Sequence, residues 1–247
     1  MEIGFSQPIE LPWMEASVKG IVEGLSPKEI RCKLDELLSH KIAADSSSKR
    51  SSRNKRVSIL MKIWVEPRKE YVGYRNYAMS LWSHAESSQR VLIHYAMTIV
   101  AYPFVWAVSI HIGRLLRIQD QFSTEQLKRR CQEEFGQRDT VAYALTRVVR
   151  TLTDWGLLIR SEKSGTYQAP PANHNSPLEL EHLLIEAYLR TSNEHDCLID
   201  NIAATPGFFP WQFRHFTLSA ITSSSRLSIY SSDFGGVRVA LSRECRP

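Results

Sequence analysis

The stretch that decides the fold is Phe122–Ala169, FSTEQLKRRCQEEFGQRDTVAYALTRVVRTLTDWGLLIRSEKSGTYQA. Ser123 stands three residues before Gln126, the spacing at which the two residues cap each other's backbone N–H at a helix start. The helix behind this box places Leu127, Cys131 and Phe135 at i, i+4 and i+8, and Gly136 supplies the stop. After a short turn, Asp139 stands where an N-cap is expected. The helix it opens puts Val141, Leu145, Val148, Leu152 and Trp155 on one face and ends at Gly156. LLIRSE and TYQA, joined through Lys163-Ser164-Gly165, predict a β-hairpin. Helix, tight turn, helix and two-stranded wing is the order of a winged helix-turn-helix.

That order has a physical use. A major groove admits one α-helix, and the helix needs a scaffold to hold its register. The second helix presents Thr140, Tyr143, Arg147, Arg150 and Thr151 away from its apolar face, with Gln137 and Arg138 just before it. Arginine bonds guanine edges or phosphates in bidentate fashion. Lys128, with Arg129 and Arg130, lies on the first helix, and Arg160 and Lys163 lie on the wing, where they would reach neighbouring backbone. The same module in other proteins docks a protein partner, so an interaction subunit of a larger complex stays open as the alternative.

Outward from this unit the chain reads as mainly α with a small β component. Helical patterns cover Pro12–Gly24 and the segment opened by the capping box Ser26-Pro27-Lys28-Glu29, with Ile30, Leu34, Leu37 and Leu38 at helical spacing. Ala44–Asn54 is rich in Ser, Lys and Arg and reads as a basic loop, followed by helices over Lys55–Val65 and Tyr74–Ser83. Within Ser46–Lys62, Lys49, Arg50, Arg53, Lys55 and Arg56 are candidate phosphate contacts. Pro177–Thr191 is an amphipathic helix, Cys197–Ala204 suggests another, and FRHFTLSAI, RLSIYSS and VRVALS alternate like strands of a small antiparallel sheet. Three regions follow: helices with the basic loop over 1–90, the winged unit with its long leading helix over 91–170, and a helix with an antiparallel β element over 171–247.

Composition bounds the function. Apolar residues are 43% of the chain and charged residues 23%, the balance of a globular protein. The formal net charge is +5, and Lys49–Arg75 carries nine basic residues against Glu66 and Glu70, which favours a polyanionic partner. Cys32, Cys131, Cys197 and Cys245 are scattered and show neither a disulfide framework nor zinc-ligand spacing. A reducing cytoplasm is therefore the expected compartment. No leader pattern opens the chain. Val91–Gly113 has no formally charged residue and the length of a bilayer span. It also holds His94, Thr98, Pro103, Ser109 and His111, which are costly in hydrocarbon, so a Pro103-kinked pair of core helices is expected rather than a membrane segment. Its histidines fit hydrogen-bonded core residues better than metal ligands. Phosphate loops, nucleophile elbows and metalloprotease motifs are missing, and Glu194, His195, Asp196 and Asp200 read as a solvated helix face. No enzyme activity, cofactor or metal is expected.

Three segments together resemble the small BrxA-type proteins of BREX phage-defence systems. They are the helical opening up to GLSPKEIRCKLDELL, the basic SSSKRSSRNKRVSIL, and the apolar helix leading into a winged-helix-like element. The resemblance is one of arrangement over roughly the first 160 residues and leaves the C-terminal strands outside it. It implies a non-enzymatic accessory protein that binds double-stranded DNA beside larger defence components. Since winged helices commonly pair, a homo-oligomer is compatible with it.

Overall fold

The computed structural model describes residues 3–41, 51–171, 176–192, 196–213, 218–231 and 236–245. Three helices open it: α1 (Leu11–Val22), α2 (Pro27–Ser39) and α3 (Ser52–Leu60). The Ser26 box forms as expected, the Ser26 hydroxyl accepting from the Glu29 amide while Glu29 accepts from the Ser26 amide at 2.8 Å. Helix α3 starts earlier than its pattern suggested. Ser51 caps Asn54, so Ser52, Arg53 and Asn54 are helical and not part of a loop. It runs on into a π-helical turn, Met61–Val65, that seats Trp64 edge-on against His94 with ring centroids 5.4 Å apart. Helix α4 (Val72–Trp82) follows.

The apolar stretch forms two helices, α5 (Ser87–Ala101) and α6 (Pro103–Leu116), bent by 117° at Tyr102. Proline explains the break: it lacks an N–H for the preceding turn and pushes the residue before it out of α geometry. No single helix among the described residues is long and apolar enough to cross a membrane. Both helices are buried, and most of their buried polar groups are hydrogen-bonded, His94 Nδ1 being left without a partner among the described residues. Thr98 and Ser109 donate back to the carbonyls of His94 and Val105, and His94 and His111 donate through Nε2 to Glu15 (3.0 Å) and Glu134 (2.9 Å).

Strand β1 (Gln121–Ser123), α7 (Thr124–Phe135), α8 (Asp139–Asp154), β2 (Ile159–Arg160) and β3 (Thr166–Gln168) come next. The strands form an antiparallel sheet in the order β1-β3-β2, so the hairpin gains a third strand that sequence pattern did not suggest. The last part is α9 (Leu178–Thr191), β4 (Asp196–Leu198), α10 (Ile199–Ala203), α11 (Leu218–Thr222), β5 (Leu227–Ser231) and β6 (Val237–Leu241). Here β6 lies between β4 and β5, antiparallel to both, with Leu227 opposite Leu241.

Two expectations are corrected in this part. Asp196–Leu198 is strand, so the helix expected from Cys197 starts at Ile199, and Asp196 pairs with Arg238 across the sheet instead of lining a solvated helix; Asp200 is exposed on α10, and Glu194 and His195 lie outside the described residues. Leu218–Thr222 is helix rather than strand, because Leu218, Ile221 and Thr222 stand at helical spacing and bury Ile221. His182 donates to the Ala220 carbonyl there at 2.9 Å.

One contiguous apolar core runs from Phe5 to Leu241. Burial holds the imidazoles of His94, His111 and His182 below their ordinary value of 6.5. The unfolded chain therefore takes up these protons first as pH falls. The stability they confer is complete above about pH 6.5 and is lost below it, at up to about 1.4 kcal/mol per pH unit for each group. The unfolding temperature is expected to drop between pH 7.5 and 5.5; a flat profile would contradict the burial of these rings.

Candidate nucleic-acid interface

The helix-turn-helix starts from local chemistry. Ser123 and Gln126 cap α7 reciprocally, and Gly136, at φ +83°, ends it in a conformation that side chains resist. Asp139 does not cap α8. The cap position is Arg138 with no side-chain bond, and Asp139 sits in the first turn, where its charge complements the helix dipole. Val141, Leu145, Val148, Leu152 and Trp155 are all buried, as their spacing requires. The hairpin turn is tied to the start of α7, whose Thr124 N–H donates to Gly165 O at 2.9 Å. The unit is not detached from the rest: Phe135 packs on Phe104, and the Trp155 indole donates to Ile9 O.

Along α8, Thr140 and Tyr143 are exposed, Tyr143 to 66%, and Arg147 is half-buried. Arg150 is exposed but lies beside the N-terminal segment. Arg147 and Arg150 have no carboxylate at ion-pair distance among the described residues. Arg138, Lys128, Arg160 and Lys163 are exposed as well, although Arg138 spends one nitrogen on Phe135 O. These groups occupy the second helix, the turn before it, the first helix and the hairpin.

Thr151 departs from the expectation. It is 2% exposed and accepts the Ile9 amide at 3.0 Å, because residues 8–11 cross the C-terminal half of α8. Asp154 accepts the Leu11 amide beside it. No local pattern links residue 9 to residue 151, and only the fold brings them together.

The N-terminal basic candidates divide. Lys49 and Arg50 lie outside the described residues. Lys55 is exposed on α3. Arg53 is held by Asp35 at 2.9 Å, and Arg56 donates to Pro8 O and Ser52 O and lies over the Trp13 ring. Arg53 and Arg56 therefore have structural work that their positions in a basic run did not suggest. The fold nevertheless brings Arg56 near α8, since the charges of Arg147 and Arg150 act on it.

No group of three or more metal-ligating side chains is found among the described residues. A cavity of about 510 Å³ lies elsewhere, between the end of α6 and the segment Thr205–Phe213, with Leu116, Arg117, Phe209 and Trp211 in its wall. No protein-family model, curated protein or solved structure matches this chain.

Proposed function

We propose that residues 121–168 are a winged helix and that the protein binds double-stranded DNA without chemistry of its own. In this reading α8 enters a major groove by its N-terminal half, the hairpin with Arg160 and Lys163 reaches adjacent backbone, and α3 adds contacts from the side. The carrying observation is the outward strip of α8, where Arg147 and Arg150 have no carboxylate at ion-pair distance among the described residues and stand next to an exposed Tyr143. The +5 net charge supports the same partner. The accessory role in phage defence suggested by arrangement belongs to this proposal, as do a cytoplasmic setting and larger protein partners.

The test is fluorescence anisotropy with a random-sequence duplex over a salt series. Binding is expected to be roughly micromolar at low salt and to fall linearly in log–log form as salt rises, because phosphate contacts release counterions. Replacing both Arg147 and Arg150 by alanine is expected to weaken it about tenfold or more while the circular dichroism spectrum is kept. Wild-type protein that ignores DNA at low salt would sink the reading. The aromatic cavity at Phe209 and Trp211 favours a second reading, a protein-docking subunit. That reading expects association that survives high salt and fails on apolar substitution at the cavity.

A further inference from the structure

Arg56 of α3 and Arg150 of α8 line one seam, and the charges of Arg147 and Arg150 both act on Arg56. Residues 8–10 close one side of this seam, held by the bond from Ile9 to Thr151 and the Trp155 indole bond to Ile9 O. A cavity of about 250 Å³ opens beside them, with Glu10, Trp13, Lys41, Arg56, Arg150 and Asp154 in its wall. Its carboxylates are already engaged: Glu10 takes Lys41 at 2.6 Å, and Asp154 takes the Leu11 amide at 3.1 Å.

Arg56 and Arg150 therefore face the space with neither carboxylate bonded to them. Arg56 uses Nε on Pro8 O and Nη1 on Ser52 O, which fixes the guanidinium and leaves Nη2. Arg147, one turn before Arg150, contributes a third charge, and its Nε is buried without an acceptor. Burial first, then the charges of Arg150 and Arg147, push the Arg56 guanidinium below its ordinary range. Like charges gathered around a buried unpaired donor disfavour the free protein, and an anion placed among them relieves both costs. In the cavity wall Lys41, Arg56 and Arg150 stand against Glu10 and Asp154, one net positive charge, with Arg147 adding its charge from outside the wall; one phosphodiester neutralises one such charge.

We propose that Arg56, Arg147 and Arg150 form a single clamp for one phosphodiester of the DNA backbone, so that α3 and α8 grip the same strand. The clamp rests on the DNA-binding reading and refines it. Arg147 and Arg150 hold the backbone and do not read bases, because one partner of the clamp is fixed on a different helix, outside any groove that α8 enters. Base edges are left to Thr140 and Tyr143, nearer the helix start, where recognition helices make such contacts.

The experiment measures the salt dependence of binding for the full chain on two duplexes of unrelated sequence. It compares wild type, Arg147→Gln, Arg150→Gln, Arg150→Lys, the double glutamine variant, and that double variant with Lys163→Gln added as a site outside the clamp. A lost phosphate contact lowers the log–log slope by about one. The clamp expects each single arginine variant to lower it by at most about one and the double variant by about one in total. Affinity falls by the same factor on both sequences, and Arg150→Lys restores part of the slope. Lys163→Gln added to the double variant lowers the slope further. A double variant that lowers the slope by about two, or leaves it unchanged, overturns the clamp while DNA binding stands. A loss that differs between the two sequences also overturns it, in favour of base readout. Wild-type protein with no affinity for either duplex overturns the DNA-binding reading, and the clamp falls with it.

Discussion

Replacing Glu186 by alanine is expected to destabilise the fold by about 3–5 kcal/mol, the usual result of removing one partner from a buried ionic group. Glu186, on α9, is fully buried. Its Oε1 accepts from Arg190 Nε at 2.9 Å and Nη2 at 2.8 Å, and from Arg226 Nη2 at 2.8 Å; Oε2 accepts from Arg226 Nε at 2.6 Å. The carboxylate raises the Arg226 guanidinium above its ordinary range, chiefly through these hydrogen bonds. Arg190 also donates to Cys245 O, and the two guanidiniums lie over the rings of Tyr74 and Tyr77. One carboxylate thus ties α9 to α4, to the residue before β5 and to the chain beyond β6. Without it the buried Arg190 guanidinium and the partly buried one of Arg226 stay unpaired beside tyrosines whose hydroxyls are hard to ionise, Tyr77 being pushed up to about 12 mainly by burial. Urea unfolding followed by tryptophan fluorescence measures the loss, and Glu186→Gln, which keeps shape and one acceptor, should fall between. A cost for Glu186→Ala below about 1 kcal/mol, the range of exposed pairs, would show that the carboxylate is not the anchor of this corner.

The second large effect is expected at Gly113. A methyl group added there would lie 1.8 Å from the carbonyl oxygen of Pro206 and 2.5 Å from its carbon, and this backbone cannot turn aside as a side chain can. The opposite strand of chain is fixed from two directions. Tyr95 donates to Gly207 O at 2.7 Å, and a Cβ on Gly207 would meet the Trp106 ring at 2.6 Å. Alanine in place of glycine inside a helix ordinarily gains about 1 kcal/mol. Here overpacking is expected to reverse the sign and cost about 1–3 kcal/mol or more. Thermal unfolding of Gly113→Ala checks it: a raised midpoint would mean that α6 and the Pro206 turn are not in direct contact.

Much of the helical layout was legible because helix boundaries are written in residues close together in the chain. Ser26 with Glu29 and Ser123 with Gln126 cap each other over three residues, and Gly136 ends α7 through its own backbone. The buried face of α8 followed from a 3.6-residue period that needs no knowledge of its partner. Short alternating stretches were less informative. Leu218–Thr222 reads as strand from its alternation, yet it is helix and buries Ile221 against the rest of the chain.

For the candidate interface, sequence by itself determined which residues carry charge and which face of α8 is apolar. It did not determine which charges are free. Arg53 is taken by Asp35, Thr151 is taken by the Ile9 amide, and Arg56 is fixed to Pro8 O yet brought towards Arg147 and Arg150. Glu186 looked like any polar residue of an amphipathic helix until Arg226, forty residues later, closed over it. Caps and periodicity act within a few residues, so they are visible along the chain. Commitment of a charged or polar group depends on neighbours supplied by distant segments, and only tertiary packing decides who those neighbours are.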